Sequence, residues 1–224
     1  MARPLIVAID GPSGVGKSTV GKAVASRLGL PYLDTGAMYR AVGLAARRAG
    51  VALPIADPGA VVDLASRLDV RVTGSAGDAR TWLSGEDISK EIRTPEISMY
   101  ASAVSAIPGV RRRLAGMQRS LALEGGGVLE GRDIGTKVVP ETKLKFFLTA
   151  TPEVRAKRRH DELVAKGSTH TYDEVLADML ARDHADSTRA DSPLTDDGTY
   201  VRVDTSDLTA DQVVDRLLET VETG

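Results

Sequence analysis

Leu5 to Thr19 reads LIVAIDGPSGVGKST, an apolar run, an aspartate, a glycine-rich turn and the start of a helix with no gap between them. Leu5, Ile6, Val7, Ala8 and Ile9 show no polar alternation, which is the pattern of a strand covered on both faces in a parallel sheet. Gly11, Gly16, Lys17 and Ser18 then occupy every fixed position of G-x-x-x-x-G-K-[ST]. In that pattern glycines let backbone N–H groups curl around phosphate oxygens. The following helix offers its unpaired N-terminal donors there, and its dipole favours negative charge. Lys17 is placed to reach β- and γ-phosphates, and the Ser18 hydroxyl to hold Mg²⁺. A glycine-rich turn that binds nothing needs neither the buried strand before it nor the helix-like TVGKAVASRL after it.

The rest of the chain is read outward from this loop. At 224 residues it is long enough to bury a substantial core, as a single α/β domain with excursions. A formal net charge of −2 argues against a general polyanion binder, so phosphate-binding arginines must be concentrated locally. No nucleic-acid or membrane partner is expected. The absence of cysteine excludes disulfides, thiolate nucleophiles and Cys-based zinc sites, and is compatible with the cytoplasm. His160, His170 and His184 match no metal-ligand spacing and read as solvated. No apolar stretch approaches membrane-spanning length, and the run ending at Asp10 is too short for a signal-peptide core.

In chain order, Thr19 to Leu28 reads as a helix closed by Gly29, and Tyr32-Leu33 as a short strand. Asp34 and Thr35 are good N-cap types for the next helix. One turn into that helix, Tyr39 and Arg40 stand near the switch point of such a sheet, where an acceptor would sit. A helix over 57–68 and two strand-like runs, 69–73 and 80–83, flank Gly74-Ser75-Ala76-Gly77-Asp78, a hairpin signal. Residues 57–106 are therefore expected to form an inserted subdomain, with Trp82 as its local hydrophobic anchor. Thr94-Pro95-Glu96 opens another helix. Pro108 opens a basic one with Arg111, Arg112 and Arg113, which cannot all point one way.

Val128-Leu129-Glu130 is a buried-strand candidate ending in a carboxylate, where a residue ordering the Mg²⁺ shell through water is expected. Arg132 and Asp133 follow at the active edge. After the strand over 144–148, Thr151-Pro152-Glu153 starts a helix on which Arg155, Arg158 and Arg159 share a face. That is the local charge which the net charge demands, and residues 153–168 read as a phosphate-binding lid. A helix over 172–188 carries Arg182 and Asp186 in one stripe with Arg189. A last strand over 200–204 and a helix over 209–221 close the chain, with Leu217 and Leu218 turned inward. The core is thus expected in 1–56, 107–152 and 169–224.

IDGPSGVGKST, LDTGAMYRAVGL, EGRDIGT and RDHADSTRADSPL, in this order and spacing, resemble the bacterial cytidylate kinase family nearly end to end. The resemblance implies a five-stranded parallel sheet flanked by helices, a mobile arginine-bearing lid, an enlarged CMP-binding insert and a monomer. It implies Mg²⁺-dependent in-line transfer of the γ-phosphoryl group of ATP to CMP or dCMP. ATP would lie on Gly11, Pro12, Ser13, Gly14, Val15, Gly16, Lys17, Ser18 and Thr19. Thr35, Tyr39, Arg40 and Arg132, with Asp34 beside them, would surround the acceptor phosphate. Ser102, Arg111 and Asp133 would read cytosine, and Asp186 and Arg189 would approach ribose and base. Arg155, Arg158, Arg159 and Arg182 would supply charge around the transferring group. The chain departs from the family pattern at Glu130, where aspartate is expected, and at Ala185, where arginine is. The first change lengthens a metal-shell side chain; the second removes a charge near Asp186.

The chemistry agrees with this. A nucleoside monophosphate is largely ionised at pH 7, its second pKa being about 6, so no general base is needed. Positioning and charge neutralisation carry the transfer. Cytosine offers an amino donor beside N3 and O2 acceptors, which suits a carboxylate and a guanidinium. Uracil would set its O4 against that carboxylate. Two rival readings stand beside this one. In a small-alcohol kinase of the shikimate or gluconate type, Asp34 would act as base. A GTPase-like switch needs D-x-x-G and N-K-x-D, whereas this chain has no D-x-x-G and no asparagine.

Overall fold

The computed structural model describes residues 4–73 and 77–223, residue 223 by its backbone alone. Gly74-Ser75-Ala76, on which the expected hairpin turn falls, lies outside the described residues. Strand β1 (Ile6–Asp10) is buried at all five positions, as an unbroken apolar run requires. Helix α1 (Lys17–Leu28) begins inside the glycine-rich motif, and Gly29, at φ +63°, ends it in the left-handed region. β2 (Tyr32–Asp34) runs into the cap of α2 (Thr35–Arg48), where the Asp34 carboxylate accepts from the Ala37 N–H at 3.0 Å. α3 (Pro58–Arg67) is capped in the same way by Asp57. β3 (Val70–Thr73) and β4 (Arg80–Leu83) pair antiparallel as the hairpin signal predicts. β5 (Glu86–Asp87) adds a third strand that no periodicity could announce, since two exposed acids carry no pattern.

α4 (Pro95–Ser105) starts under the Thr94 hydroxyl, and α5 (Pro108–Gly125) starts at its proline. β6 (Gly127–Gly131) leads into a π-helical turn, Ile134–Val138, also unforeseen. β7 (Leu144–Thr149), α6 (Pro152–Ala165), α7 (Tyr172–Thr188), β8 (Val201–Asp204) and α8 (Ala210–Thr223) complete the chain. α7 has the bounds expected from sequence because a full capping box, Thr171 with Glu174, sets its start. The five-stranded sheet has the order β2-β6-β1-β7-β8, and β3-β4-β5 form a separate small sheet. The P-loop α/β kinase fold is thus the observed architecture.

Two compact units make up the chain: Met1–Ile6 with Ala25–Leu129, and Val7–Val24 with Glu130–Gly224. The first is built on α2, which packs against α4. A Cβ at Gly43 would lie 2.9 Å from the Ala101 nitrogen, so the helix backbones touch there. Met38, Leu44, Ile88, Ile92, Ile97 and Leu114 fill this core, each burial contributing about 1.5–3 kcal/mol. Trp82 is only half-buried on the small sheet, where its indole N–H donates to the Thr73 hydroxyl at 2.8 Å.

The second unit carries the parallel pairs. β1 and β7 align Val7 with Leu144 and Asp10 with Phe147, and β7 and β8 align Phe146 with Val201. The loop after β1 is pressed onto the end of β7. A Cβ at Gly11 would come within 2.2 Å of the Leu148 carbonyl oxygen, so only glycine fits at this position. α6 and α7 pack on each other through Ala156, Val175 and Met179. Among the described residues no helix is long and apolar enough to cross a membrane.

Candidate active site

In the second unit the loop from Gly11 to Gly16 turns through three glycines at positive φ, namely Gly11, Gly14 and Gly16. Gly14 is also closely packed, though less tightly than Gly11: an added Cβ would sit 2.9 Å from the Met179 methyl and 3.1 Å from the Arg155 Cβ. Lys17 is buried and folds back over the loop, donating to the carbonyls of Gly11 at 2.8 Å and Pro12 at 2.6 Å. Burial, reinforced by the charge of Arg132, holds its pKa well below the usual lysine value, against the opposing pull of Glu130 and Asp10. An ammonium under that stress gains strongly from an anion, which is what a polyphosphate brings.

The Ser18 hydroxyl donates to Glu130 Oε1 at 2.7 Å. Ser18 is exposed, whereas Glu130 is buried at the end of β6. The end of β6 thus brings the Glu130 carboxylate within hydrogen-bond reach of the motif serine. Both donors are hard oxygens, the chemistry that Mg²⁺ prefers. Among the described residues no group of three or more His, Asp or Glu could hold a metal by itself. That combination suits an ion that keeps its waters and leans on nucleotide phosphates, with one or two protein oxygens.

Arg132 and Asp186 form an ion pair, Nε to Oδ2 at 2.9 Å, and Arg189 reaches Asp186 Oδ1 at 3.1 Å. Burial works to raise the Asp186 pKa. Arg132, by charge and hydrogen bond, then Arg182 and Arg189, outweigh it and hold the carboxyl below its usual range. The stripe read from sequence is therefore a real cluster, joined by Arg132. The three arginines of α6, by contrast, diverge. Arg155 is buried, donating to the Ser13 carbonyl at 3.2 Å and the Ala150 carbonyl at 3.1 Å, and pairing with Asp183 at 2.6 Å. Arg158 donates to the Thr205 hydroxyl at 3.1 Å and the Thr205 carbonyl at 2.6 Å. Arg159 pairs with Glu162 at 2.8 Å, an exposed i,i+3 pair. A shared face on a helix is not a shared target, because long side chains follow the acceptors around them.

In the first unit Asp34 caps α2 and also accepts from Arg93 at 2.8 Å, so both carboxylate oxygens are engaged. Arg40 donates to the Ser98 hydroxyl at 2.6 Å and the Ile92 carbonyl at 3.3 Å. The Arg111 guanidinium lies over the Tyr39 ring, 5.4 Å from its centroid, and donates to the Ser105 carbonyl at 3.3 Å. Arg111 alone of the three consecutive arginines is buried, as the helical geometry demands. Thr35 is buried at the start of α2, and Ser102 is half-buried on α4. Sequence reasoning missed Arg93, Ser98, Asp183 and Asp10 as partners. Only Asp10 offered a signal, an acid closing an otherwise apolar strand.

A profile of the family described as cytidylate kinase matches residues 7–223. A cytidylate kinase of Syntrophotalea carbinolica is 48% identical over 221 residues, covering 99% of this chain and 93% of that one. One from Mycolicibacterium paratuberculosis is 50% identical over 222 residues, covering 99% and 96%. Among solved structures, an uncharacterized protein from Eubacterium ventriosum superposes with a TM-score of 0.52 at 14% identity, covering 99% of this chain and 100% of that one. This last likeness is one of fold alone.

Proposed function

This chain belongs to the cytidylate kinase family, and from that premise we propose how its residues divide the work. It transfers the γ-phosphoryl group of ATP to CMP or dCMP, giving ADP and the pyrimidine nucleoside diphosphate. The Ser18–Glu130 hydrogen bond, with Lys17 buried over the same loop, is the observation that carries the donor half of this reading.

Gly11 to Thr19 cradle the donor phosphates with backbone N–H groups, and Lys17 swings from the loop carbonyls to the β- and γ-phosphates. Ser18 would hold Mg²⁺ directly and Glu130 would do so through water, and the ion would supply positive charge to the donor phosphates. Longer than aspartate by one methylene, Glu130 already reaches the Ser18 hydroxyl. Arg132 and Arg182, with Arg158 and Arg159 from the lid over residues 153–168, neutralise the transferring group. Arg155 acts by holding the loop, since its guanidinium is already bound to Ser13 and Asp183. Thr35, Tyr39 and Arg40 serve the acceptor phosphate. Arg111 and Ser102 from the first unit and Asp133 from the second each address cytosine, and Asp186 with Arg189 the ribose. Residues 57–106 act as the acceptor-binding insert. The enzyme works in the cytoplasm as a monomer.

Asp34, with one oxygen capping α2 and the other on Arg93, is poorly placed to be the base of an alcohol kinase. The deciding experiment is ADP release with Mg·ATP and CMP, dCMP, UMP, AMP, GMP or shikimate, one acceptor at a time. CMP and dCMP should dominate. Dominance by UMP or shikimate would leave the donor site standing and remove the assignments of Ser102, Arg111 and Asp133.

A further inference from the structure

Asp10 is fully buried and belongs to none of the groups assigned above. It ends β1 and immediately precedes Gly11, the first residue of the phosphate loop. Its Oδ1 accepts from the Ile134 N–H at 3.0 Å; its Oδ2 accepts from the Gly135 N–H at 2.9 Å and the Tyr200 hydroxyl at 2.8 Å. The two N–H groups are the first donors of the π-helical turn Ile134–Val138, and Arg132 and Asp133 directly precede them. The Asp133 carbonyl is held from the other side by the Lys137 N–H at 2.9 Å.

We infer that Asp10 is a positioning residue that holds the Arg132–Asp133 turn in register with the phosphate loop, and so sets where Asp133 meets the acceptor base. The inference deepens the proposed function and rests on its assignment of Asp133 to cytosine. Three donors converge on two oxygens here, and only a carboxylate accepts on both sides. An amide of the same shape must turn its NH₂ either toward the Ile134 N–H or toward the Gly135 N–H, so one bond becomes a donor–donor contact. Both ends are closely packed. Gly11 is wedged against Leu148, and a Cβ at Gly135 would lie 2.7 Å from the Tyr200 hydroxyl. A buried carboxylate is a costly way to tie two backbone segments, and here it ties the residue before Gly11 to the turn that follows Asp133.

The test compares Asp10→Asn, Tyr200→Phe and Asp133→Ala with the parent enzyme, measuring kcat/KM for CMP and UMP, KM for ATP and thermal stability. Asp10→Asn should lower the CMP-to-UMP ratio about tenfold and raise KM for CMP severalfold more than KM for ATP. Tyr200→Phe keeps both backbone bonds and should hold the ratio within about twofold. If Asp10→Asn raises both KM values equally with the ratio intact, Asp10 is a structural prop and the inference fails. It fails equally if Tyr200→Phe erodes the ratio as much as Asp10→Asn does. Should Asp10→Asn give no soluble protein, Gly135→Ala displaces the same turn and must erode the ratio too; an unchanged ratio overturns the inference. Asp133→Ala separates the two layers. If it abolishes the CMP preference while Asp10→Asn does not, the proposed function survives and the inference is lost. If it leaves the preference intact, the cytosine assignment falls and takes the inference with it.

Discussion

Replacing Asp186 by asparagine changes one oxygen to nitrogen and should cost the fold several kcal/mol. Asp186 Oδ2 accepts from Arg132 and Oδ1 from Arg189, with side-chain exposures of 10% for Asp186, 18% for Arg132 and 9% for Arg189. The amide can accept from one arginine and must present NH₂ to the other, so one largely buried guanidinium loses the Asp186 charge. Breaking a buried pair in this way costs about 3–5 kcal/mol. The partial exposure of Arg132 lets water repay some of this, so about 3 kcal/mol is the expected loss. For a chain of this size that corresponds to a fall in Tm of about 6–12 °C. Urea unfolding of the two proteins at pH 7.5 measures it, with Glu162→Gln as control. That carboxylate is 47% exposed, and its removal should cost no more than about 0.5 kcal/mol. The Asp186 carboxyl is held below its usual range, so its stabilisation is complete above the unfolded carboxylate pKa. It is lost as pH falls through the folded one, and the gap between the proteins should narrow in acid. A loss under 1 kcal/mol at pH 7.5 would show that the arginines find other partners and refute the cluster as a structural unit.

Asp10 predicts the opposite sign. Burial, against the opposing hydrogen bonds from Gly135, Ile134 and Tyr200, raises its pKa from 3.8 to about 6. Between those values the folded state binds the extra proton, so this group's contribution to stability falls as pH rises. At about 1.4 kcal/mol per unit, the stability of Asp10→Asn relative to the parent should climb by about 3 kcal/mol from pH 4 to pH 7, and a flat difference by urea unfolding would refute it. Gly14→Ala adds a methyl at φ +79° against Met179 and Arg155; steady-state kinetics should show KM for ATP rising about tenfold, equivalent to 1.4 kcal/mol, and an unchanged KM would mean the loop reshapes freely. Arg158 rests on the Thr205 hydroxyl; if, as proposed, its charge serves the transferring phosphoryl mainly in the transition state, Arg158→Ala should lower kcat far more than it raises KM. A pure KM effect would reassign it to ground-state binding.

The loop, the strand before it and the helix bounds were legible because each rests on local chemistry: an apolar run, positive-φ glycines, and side-chain caps such as Thr171 with Glu174. The carboxylate of Glu130 was legible for the same reason, as a charge that only a strand end could tolerate. Strand order was not, since β6 and β7 flank β1 from far along the chain. Nor was the direction of the lid arginines. Arg155, Arg158 and Arg159 share a helix face, but Asp183, Thr205 and Glu162, which decide where each points, include two partners on other elements. The π-helical turn at Ile134–Val138 is stabilised by Asp10, more than 120 residues earlier, and no window of local sequence contains that bond.

Neither compact unit is a continuous piece of chain, and this sets a schedule for synthesis. The first unit is complete once Leu129 has left the ribosome, while the second needs residues 7–24 and everything from Glu130 onward. At about 5–20 residues per second, the chain from Glu130 to its last residue takes on the order of 5 to 20 s. Through that interval β1 waits for β7, and Asp10 waits for a tyrosine 190 positions downstream. A chain stalled after Leu129 would carry the glycine-rich loop without Leu148, against which Gly11 is wedged, and without the Tyr200 hydroxyl that holds Asp10.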